Sequence, residues 1–281
     1  MNTPITVTLV VDNEASGGLQ AEHGFAAWID TGKTTFLFDT GQGPALVHNA
    51  RALQIDLDQA EFLILSHGHY DHTGAVPDFF VANQHAPVIY GRGATIRRFS
   101  CHPGQEPRQI GIAETVLQTL EGLPQERRIV LDTPRYLRPG IGITGPVPRL
   151  TVFEDTGGPF FLDAEKSQPD LIEDDLSLWF ETAAGLVILT GCCHSGIVNT
   201  VRYAQQISGI TRIHGIIGGL HLLNAGPERL QATLEFLHAC APDFLLPCHC
   251  TGAQVIERLR LEFGEKVVKA GGAGQTIRIG N

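Results

Sequence analysis

The nine residues 66–74, Ser-His-Gly-His-Tyr-Asp-His-Thr-Gly, directly follow the apolar run 62–65, Phe-Leu-Ile-Leu, which is predicted to be a buried strand. They place three imidazoles and one carboxylate within six residues. Neutral imidazole nitrogen and carboxylate oxygen are ligands that zinc and similar metals prefer, so one such turn can serve two ions. Crowded histidines are costly to bury without metal or hydrogen-bond partners, because each ring carries two polar nitrogens. This stretch therefore predicts a metalloenzyme.

The composition predicts an acidic globular protein. The chain has 281 residues, of which 43% are hydrophobic and 18% are charged, enough for a sizeable core. Its formal net charge is −10 and its sequence pI is near 5.6, with no run of Lys or Arg. Binding to nucleic acid is therefore not expected. Two bound divalent ions would offset part of the negative charge and leave room for a small anionic substrate.

The sequence also predicts the cellular compartment of the protein. Residues 1–4 lead into a strand-like segment without the basic and apolar regions of a signal peptide. No apolar stretch reaches the roughly 20 residues of a membrane helix. The spacing of the six cysteines does not form a disulfide framework, so reduced thiols are the simpler interpretation. We expect a cytoplasmic protein without membrane contact, and homo-oligomerisation stays open.

Strand-like and helical segments alternate along the chain, which predicts a layered α/β architecture. Helical periodicity fits residues 44–53, 113–120, 197–207, 227–239 and 253–263. The last helix follows the capping-box pattern Thr251-Gly-Ala-Gln254. Strand-like runs fall at residues 5–11, 24–30, 35–39, 62–66, 87–90, 176–181, 186–190, 213–218, 244–247, 266–269 and 276–279.

A weak internal repeat relates two parts of the chain. The segment 28–41 parallels 179–192, and 64–69 parallels 216–221 with a shift of one residue. Two related β-rich halves that face each other would bring ligands to a shared cleft, although unrelated halves with similar strands also fit. We expect a single domain over residues 1–281. Its long Pro/Gly-rich excursion at about 101–170 is predicted to carry a helix and short strands, and either covers the cleft or builds a subunit interface.

Four further strands are predicted to end in small-residue turns that display polar groups. Asp39 follows the run 35–38, Cys192 and His194 follow 186–189, His221 follows 213–217, and His249 follows 244–246. Glycines in such turns permit tight bends and close approach of the backbone to a ligand. Because α/β sheets place ligands at strand ends, we expect these groups to meet residues 66–74.

These motifs resemble the metallo-β-lactamase superfamily. His67-x-His69-x-Asp71-His72 matches its metal signature, and Asp39 matches its earlier strand-end aspartate. The resemblance is closer to one branch, the metal-dependent hydrolases of the β-lactamase superfamily, whose relatives resemble an archaeal dihydropterin–ribofuranosylaminobenzene phosphate synthase. The resemblance implies a four-layer αββα sandwich with a dinuclear metal cleft at its edge. The branch pattern comprises, in order, Glu22-His23-Gly24, residues 66–74, Gly191-Cys-x-His-x-Gly196, Gly219-x-His-Leu222 and Pro247-Cys-His-Cys-Thr-Gly252.

The resemblance also implies a ligand set for two divalent ions, zinc first, with manganese, cobalt or iron as alternatives. Cys192 stands where many members of the superfamily have an aspartate that bridges both metals, so either its thiolate or water alone would bridge. The two thiols that flank position 249 are expected to be ordinary buried cysteines. The first ion would be held by His67, His69 and His194, and the second by Asp71, His72 and His249.

Four other residues receive roles in or near the cleft. Asp39 is expected to orient a ligating imidazole through its other ring nitrogen. His221 is assigned to contact with the substrate or transition state, and ligation is its alternative role. Glu22 and His23 are read either as a surface pair or, from the branch resemblance, as lining the cleft.

The function expected from this arrangement is a dinuclear metal-dependent hydrolase. A metal-activated hydroxide would attack phosphorus or a carbonyl group, with Asp71 orienting or deprotonating the water and His221 protonating the leaving group. Helix starts after Ser195 and Thr251 would add N–H groups, which favours a phosphoester or other anionic ester. The alternatives are a transferase that joins a dihydropterin pyrophosphate to an arylamine, and a non-enzymatic metal- or ligand-binding protein. A diiron oxygen-reducing enzyme is disfavoured, because such members usually have glutamate where His69 stands.

Overall fold

The strands are apolar on both faces, which requires a layer on each side of a sheet. In the strand Thr35–Phe38, Phe36 and Phe38 point into one apolar cluster and Leu37 into another. All three side chains are fully buried. Because successive strand residues point to opposite faces, such a strand lies between two packed layers.

A computed structural model describes residues 4–280. Residues 1–3, which belong to the segment without a signal-peptide pattern, and residue 281 lie outside the described residues. Among residues 4–280, no helix combines the length and the apolar character needed to cross a bilayer.

The helices match those expected from the hydrophobic periodicity to within two residues at either end. Two additional short helices, Tyr70–Thr73 and Val76–Ala82, were not predicted, because they have too few turns to show a hydrophobic periodicity. The helices are α1 (Ala45–Ala52), α2 (Tyr70–Thr73), α3 (Val76–Ala82), α4 (Glu114–Gly122), α5 (Ile197–Ser208), α6 (Pro227–Cys240) and α7 (Ala253–Phe263), with 3₁₀ turns at Leu57–Gln59, Gln125–Arg127 and His249–Thr251.

The strands are β1 (Ile5–Val11), β2 (Ala26–Asp30), β3 (Thr35–Phe38), β4 (Ala60–Leu65), β5 (Val88–Gly91), β6 (Phe99–Ser100), β7 (Arg108–Gln109), β8 (Arg128–Leu131), β9 (Arg135–Arg138), β10 (Ile141–Ile143), β11 (Phe160–Phe161), β12 (Ser177–Thr182), β13 (Gly185–Thr190), β14 (Ile213–Gly219), β15 (Phe244–Cys248) and β16 (Thr276–Ile279). They form a seven-stranded sheet, β16-β1-β2-β3-β4-β5-β8, and a six-stranded sheet, β15-β14-β13-β12-β10-β9. A small sheet, β11-β6-β7, accompanies them.

Three apolar clusters define the layers. The first lies between the two large sheets and contains residues such as Phe36 of β3 and Leu189 of β13. The second packs α1, α3 and α4 on the outer face of the seven-stranded sheet, and the third packs α5, α6 and α7 on the outer face of the other. The fold is therefore the expected four-layer αββα sandwich.

The two halves repeat the same strand pairing. In the first half β2 and β3 are antiparallel, and β4 and β5 then add in parallel. In the second half β12 and β13 are antiparallel, and β14 and β15 then add in parallel. Trp28 and Trp179 occupy equivalent strands and pack outward in their respective halves. This topology agrees with the internal repeat.

Two local expectations are wrong. The segment 266–269 is not a strand, because it makes only a single bridge, between Val268 and Leu245 of β15. The capping box before α7 is absent, since the helix begins after Gly252 without a side-chain cap. The hydroxyl of Thr251 instead accepts a hydrogen bond from the backbone N–H of Leu220 at 3.0 Å.

The excursion at 101–170 belongs to the sandwich itself. Its strand β8 extends the first large sheet, β9 and β10 extend the second, and α4 packs on the outer face. Strands β7 and β11 of the excursion pair with β6 in the small sheet. Only part of the excursion is therefore free to act as a substrate-binding element.

A buried ion cluster ties the start of this region to the turn 66–74. Arg98 is 1% exposed, and its guanidinium contacts Asp170 at 2.8 Å and also pairs with Asp174. Asp174 in turn accepts a hydrogen bond from the backbone N–H of Gly68 at 2.8 Å. A Cβ at Gly68 would lie 1.8 Å from the carbonyl oxygen of Ala94, so only glycine fits this turn.

Arg98→Met should strongly destabilise the protein, by about 3–5 kcal/mol, because it leaves two buried carboxylates without their cation. Urea unfolding followed by circular dichroism measures the change. Arg92→Met is the control, since Arg92 makes an exposed pair with Asp132 and should change little. Equal effects of the two substitutions would contradict the structural role of Arg98.

Candidate metal centre

The polar turns that follow β4, β13, β14 and β15 open onto one cleft of about 430 Å³ at the edge of the sandwich, and Asp39 after β3 lies buried behind it, bonded to His72. The parallel pairing of β3 with β4, and of β13 with β14 and β15, brings their carboxyl ends to the same side of each sheet. The strand-end residues predicted from the sequence therefore lie close together.

The backbone in these turns is strained. Four non-glycine residues at the strand ends have positive φ: Asp39 (61°), Cys193 (61°), His221 (46°) and His249 (48°). This conformation costs of the order of 1–3 kcal/mol per residue and persists where the surroundings enforce it, often at functional sites. Its concentration around one cleft marks the cleft as the candidate functional site.

The first cluster contains His67, His69 and His194. His67 Nε2 lies 2.9 Å from His69 Nδ1, and the His194 ring centroid lies 4.7 and 4.8 Å from those two rings. His194 Nδ1–H donates to the carbonyl oxygen of Thr156 at 2.9 Å, so its Nε2 carries a lone pair. That Nε2 is buried and has no hydrogen-bond partner among the described residues, nor has Nε2 of His69.

These three imidazoles are suited to bind metal in the neutral form. Burial lowers the pKa of His67, His69 and His194 well below the usual range; repulsion from neighbouring imidazoles, and for His69 chiefly from the Arg98 cation, lowers it further. A neutral ring offers a lone pair to a cation without first losing a proton.

The second cluster contains Asp71, His72 and His249. Nε2 of His72 and Nε2 of His249 are 3.2 Å apart, and they lie 3.8 and 3.5 Å from Oδ2 of Asp71. His72 Nδ1–H donates to Asp39 at 2.7 Å, and His249 Nδ1–H donates to the Asn13 side chain at 2.8 Å. Both Nε2 atoms therefore point toward each other and toward Asp71, as in metal sites where a second hydrogen bond orients the imidazole.

His72 differs from the imidazoles of the first cluster in its charge. Burial alone would lower the pKa of His72, but the carboxylates of Asp39 and Asp71 outweigh burial and raise it to about 9. The second cluster is thus an anionic environment that favours positive charge at this position.

Cys192 lies between the two clusters. Its Sγ is 3.1 Å from Nε2 of His72. The thiol forms one group with His67 and His194 and another with His72 and His249, and within each group the donor atoms lie within 4.8 Å of one another. This is the position that a bridging thiolate would need.

The donor set fits a pair of divalent metal ions. Imidazole nitrogen, carboxylate oxygen and thiolate sulfur are donors that zinc and similar cations bind. In four imidazoles Nδ1–H donates to an oxygen acceptor and leaves Nε2 available to a cation, and the buried Nε2 atoms of His69 and His194 lack a partner among residues 4–280.

The other predicted site residues divide into two groups. His23 lies at the cleft, 3.3 Å from Asp71, and the hydrogen bond to Asp71 raises the pKa of His23. His221 also lies there, with its ring 4.1 Å from that of His194. Glu22 does not line the cleft, because its carboxylate accepts hydrogen bonds from the backbone N–H groups of Gln42, Gly43 and Ala45 before α1.

The expected use of helix starts for anion binding is wrong for α5. The Glu154 carboxylate already accepts hydrogen bonds from the N–H groups of Val198 and Asn199 at 2.8 and 2.9 Å. For α7, residues 253–263 do not line the cleft. The first free N–H groups of both helices are therefore not directed at a substrate in the cleft.

Three residues at the cleft could not be predicted as site residues from the sequence. The Phe160 ring lies 5.5 and 5.6 Å from the rings of His69 and His194. The Arg108 guanidinium lies 4.9 Å above the ring of Tyr70. Both come from the excursion, where no periodic pattern or motif marks them. Cys250, expected to be an ordinary buried thiol, also lines the cleft.

Comparisons with known proteins agree with this fold. The family model described as the metallo-beta-lactamase superfamily matches residues 20–205. Protein MJ0448 of Methanocaldococcus jannaschii is 30% identical over 90% of this chain and 93% of its own length. The chain belongs to the metallo-β-lactamase superfamily.

Two further relatives place the chain near the branch indicated by its motifs. The 7,8-dihydropterin-6-methyl-4-(beta-D-ribofuranosyl)-aminobenzene-5'-phosphate synthase of Methanocaldococcus jannaschii is 30% identical over 87% of this chain and 86% of its own length. The structure of Tm1679, a metal-dependent hydrolase of the beta-lactamase superfamily, superposes with a TM-score of 0.81 and 26% identity, covering 99% of this chain and 100% of the other.

Substitution of one imidazole in each cluster should separate the two candidate metal sites. We expect His194→Ala and His249→Ala each to lose the ion of its own cluster, because each removes an oriented Nε2 donor. Elemental mass spectrometry of protein purified without chelators or a histidine tag measures the metal content.

His214→Ala is the control, because His214 pairs with Asp243 on another part of the surface. Its metal content should equal that of the unchanged protein. Full metal content in both cleft variants would contradict the ligand assignment.

Proposed function

We propose that this protein is a dinuclear metal-dependent hydrolase that acts on a phosphoester or other anionic ester. The observation that carries the proposal is the pair of donor clusters on either side of Cys192, with their ring nitrogens already oriented into one cleft. We propose zinc as the metal, with manganese, cobalt or iron as alternatives. All six cysteines are unpaired in the structure, which supports a reducing compartment such as the cytoplasm.

Divalent ions at this site would lower the pKa of a water molecule and stabilise negative charge that develops on the substrate. The residues of the chain would position the reacting groups. Asp71 is buried, and its Oδ2 also accepts from His23 at the mouth of the cleft, so it can orient a nucleophile or take its proton. His221 is the second candidate for proton transfer, because its ring reaches the cleft beside His194.

The lining of the cleft supports an anionic substrate. Arg108 is the only lysine or arginine that lines the cleft within residues 4–280, and no carboxylate of the described chain pairs with it. An exposed guanidinium held over an aromatic ring offers directed N–H donors to phosphate or carboxylate. In a chain with a net charge of −10, such a group favours binding of the anionic part of a substrate.

A transferase is the second candidate, because of the similarity to the archaeal synthase over most of the chain. In that reaction the same clusters would bind a pyrophosphate leaving group, and an arylamine would replace water as the nucleophile. The fold alone does not separate the two reactions, since one scaffold supports many chemistries.

Product analysis tests both candidates with one preparation. The metal-loaded protein is incubated with bis(p-nitrophenyl) phosphate, and separately with a hydroxymethyl-dihydropterin pyrophosphate in the presence and absence of 4-aminobenzoate. Release of p-nitrophenol that is lost in His67→Ala supports the hydrolase, and a pterin–arylamine product supports the transferase. Activity that persists in His67→Ala would refute a role for the first cluster in either reaction.

Arg108→Gln should raise KM for bis(p-nitrophenyl) phosphate by about tenfold, because it removes a charge-assisted hydrogen bond to the anion. The value of kcat should change little, since Arg108 is not among the candidate metal ligands. Arg97→Gln is the control, because Arg97 is exposed nearby but does not line the cleft. An unchanged KM in Arg108→Gln would contradict the role of Arg108.

A further inference from the structure

Two cleft residues are left over from the two candidate clusters. Cys250 and His221 are not needed to complete either one, yet a ring nitrogen of His221 and the sulfur atoms of Cys192 and Cys250 lie within 4.8 Å of one another. The three residues come from the ends of β13, β14 and β15, which pair in parallel. The second half of the sandwich alone therefore supplies this group.

The surrounding backbone is shaped around these side chains. A Cβ at Gly219 would lie 2.5 Å from Sγ of Cys250, so glycine is required to admit the thiol. A Cβ at Gly157 would lie 1.9 Å from Cδ2 of His221, so the excursion packs directly against the imidazole. His221 itself has a strained φ of 46°. The structure thus accepts strain and close packing to hold these donors in place.

The polar atoms of this group lack strong partners within the described chain. Nδ1 of His221 is buried and without a hydrogen bond among residues 4–280. Sγ of Cys250 makes a long contact, 3.5 Å, to the carbonyl oxygen of Cys192, and it otherwise interacts with the side chains of Cys192 and His221 themselves. Buried polar groups normally have partners, and their absence at convergent donors points to a bound ligand.

We propose that Cys192, His221 and Cys250 form a third, sulfur-rich subsite that binds a thiophilic divalent cation such as Zn²⁺ or Cd²⁺. Two thiolates and one imidazole are a soft donor set, which favours such cations over magnesium or calcium. Each thiol releases its proton to solvent when the cation binds. The cation would lie beside the first cluster, because the His221 ring is 4.1 Å from that of His194.

This subsite goes beyond the proposed hydrolase, although it shares Cys192 with the two clusters. In this subsite His221 takes the ligand role that is its alternative, and Asp71 is then the remaining group for proton transfer. The subsite can be tested by metal binding alone, without any assumption about the reaction.

Cobalt provides the test, because sulfur-to-cobalt charge transfer gives an absorption band that imidazole and carboxylate ligands do not. The metal-free full chain is titrated with Co²⁺, and both bound cobalt and the band are measured. We expect Cys250→Ser and His221→Ala each to bind one equivalent less than the unchanged protein, with part of the band lost in Cys250→Ser. Circular dichroism shows that each variant is folded, and Cys250→Ala replaces Cys250→Ser if it is not.

Cys240→Ser is the matched control, because this half-buried thiol at the end of α6 is outside the cleft. It should keep both the stoichiometry and the band. Unchanged cobalt binding and band intensity in Cys250→Ser would overturn the subsite. A weaker band without loss of an equivalent would also overturn it, since Cys250 would then belong to the two-ion centre. If His194→Ala loses one equivalent of cobalt, the dinuclear proposal holds whichever result Cys250→Ser gives.

Discussion

The buried carboxylate of Asp39 is the contact on which the candidate metal centre depends. It accepts hydrogen bonds from the backbone N–H of Ser66 at 2.6 Å, from the Ser66 hydroxyl at 2.7 Å and from His72 Nδ1–H at 2.7 Å. Because the Ser66 hydroxyl donates to Asp39, its oxygen accepts from His67 Nδ1–H at 2.9 Å. One carboxylate thus orients an imidazole in each cluster, directly for His72 and through Ser66 for His67. Gly191 is required beside it, since a Cβ there would lie 2.7 Å from Oδ2 of Asp39.

The ligand-bearing turns could be predicted because their signal is local. An apolar strand followed by small residues and a histidine, as at His249, encodes both the strand end and the donor in a few positions. Glu22 and Glu154 could not be placed in this way. The carboxylate of Glu22 accepts from a backbone N–H 20 residues away in sequence, and that of Glu154 from one 44 residues away. These contacts exist only once the layers have packed. The positions of Arg108 and Phe160 at the cleft could not be predicted either, because they follow from the pairing of strands in the small sheet.

The candidate metal ligands and the residues that face them come from different parts of the fold. The candidate ligands stand on strand ends whose positions are set by two large sheets and three apolar clusters. Phe160 and Arg108, which face the cleft from outside, come from the excursion, which Arg98 anchors through its pairs with Asp170 and Asp174. Metal chemistry would then belong to the scaffold and substrate choice to the excursion, in line with the general placement of specificity on loops held by a rigid framework.

The two halves of the sandwich repeat a topology but differ in chemistry at equivalent strand ends. Asp39 after β3 uses its carboxylate to orient an imidazole. The corresponding position at the end of β13 is Thr190, whose hydroxyl donates to the carbonyl oxygen of Gly219 at 2.8 Å. That bond joins the ends of β13 and β14 through the backbone and leaves the side chains that follow them, those of Cys192 and His221, free for ligation. The first half therefore offers only nitrogen and oxygen donors, whereas the second half adds the sulfur of Cys192 to the nitrogens of His194 and His249.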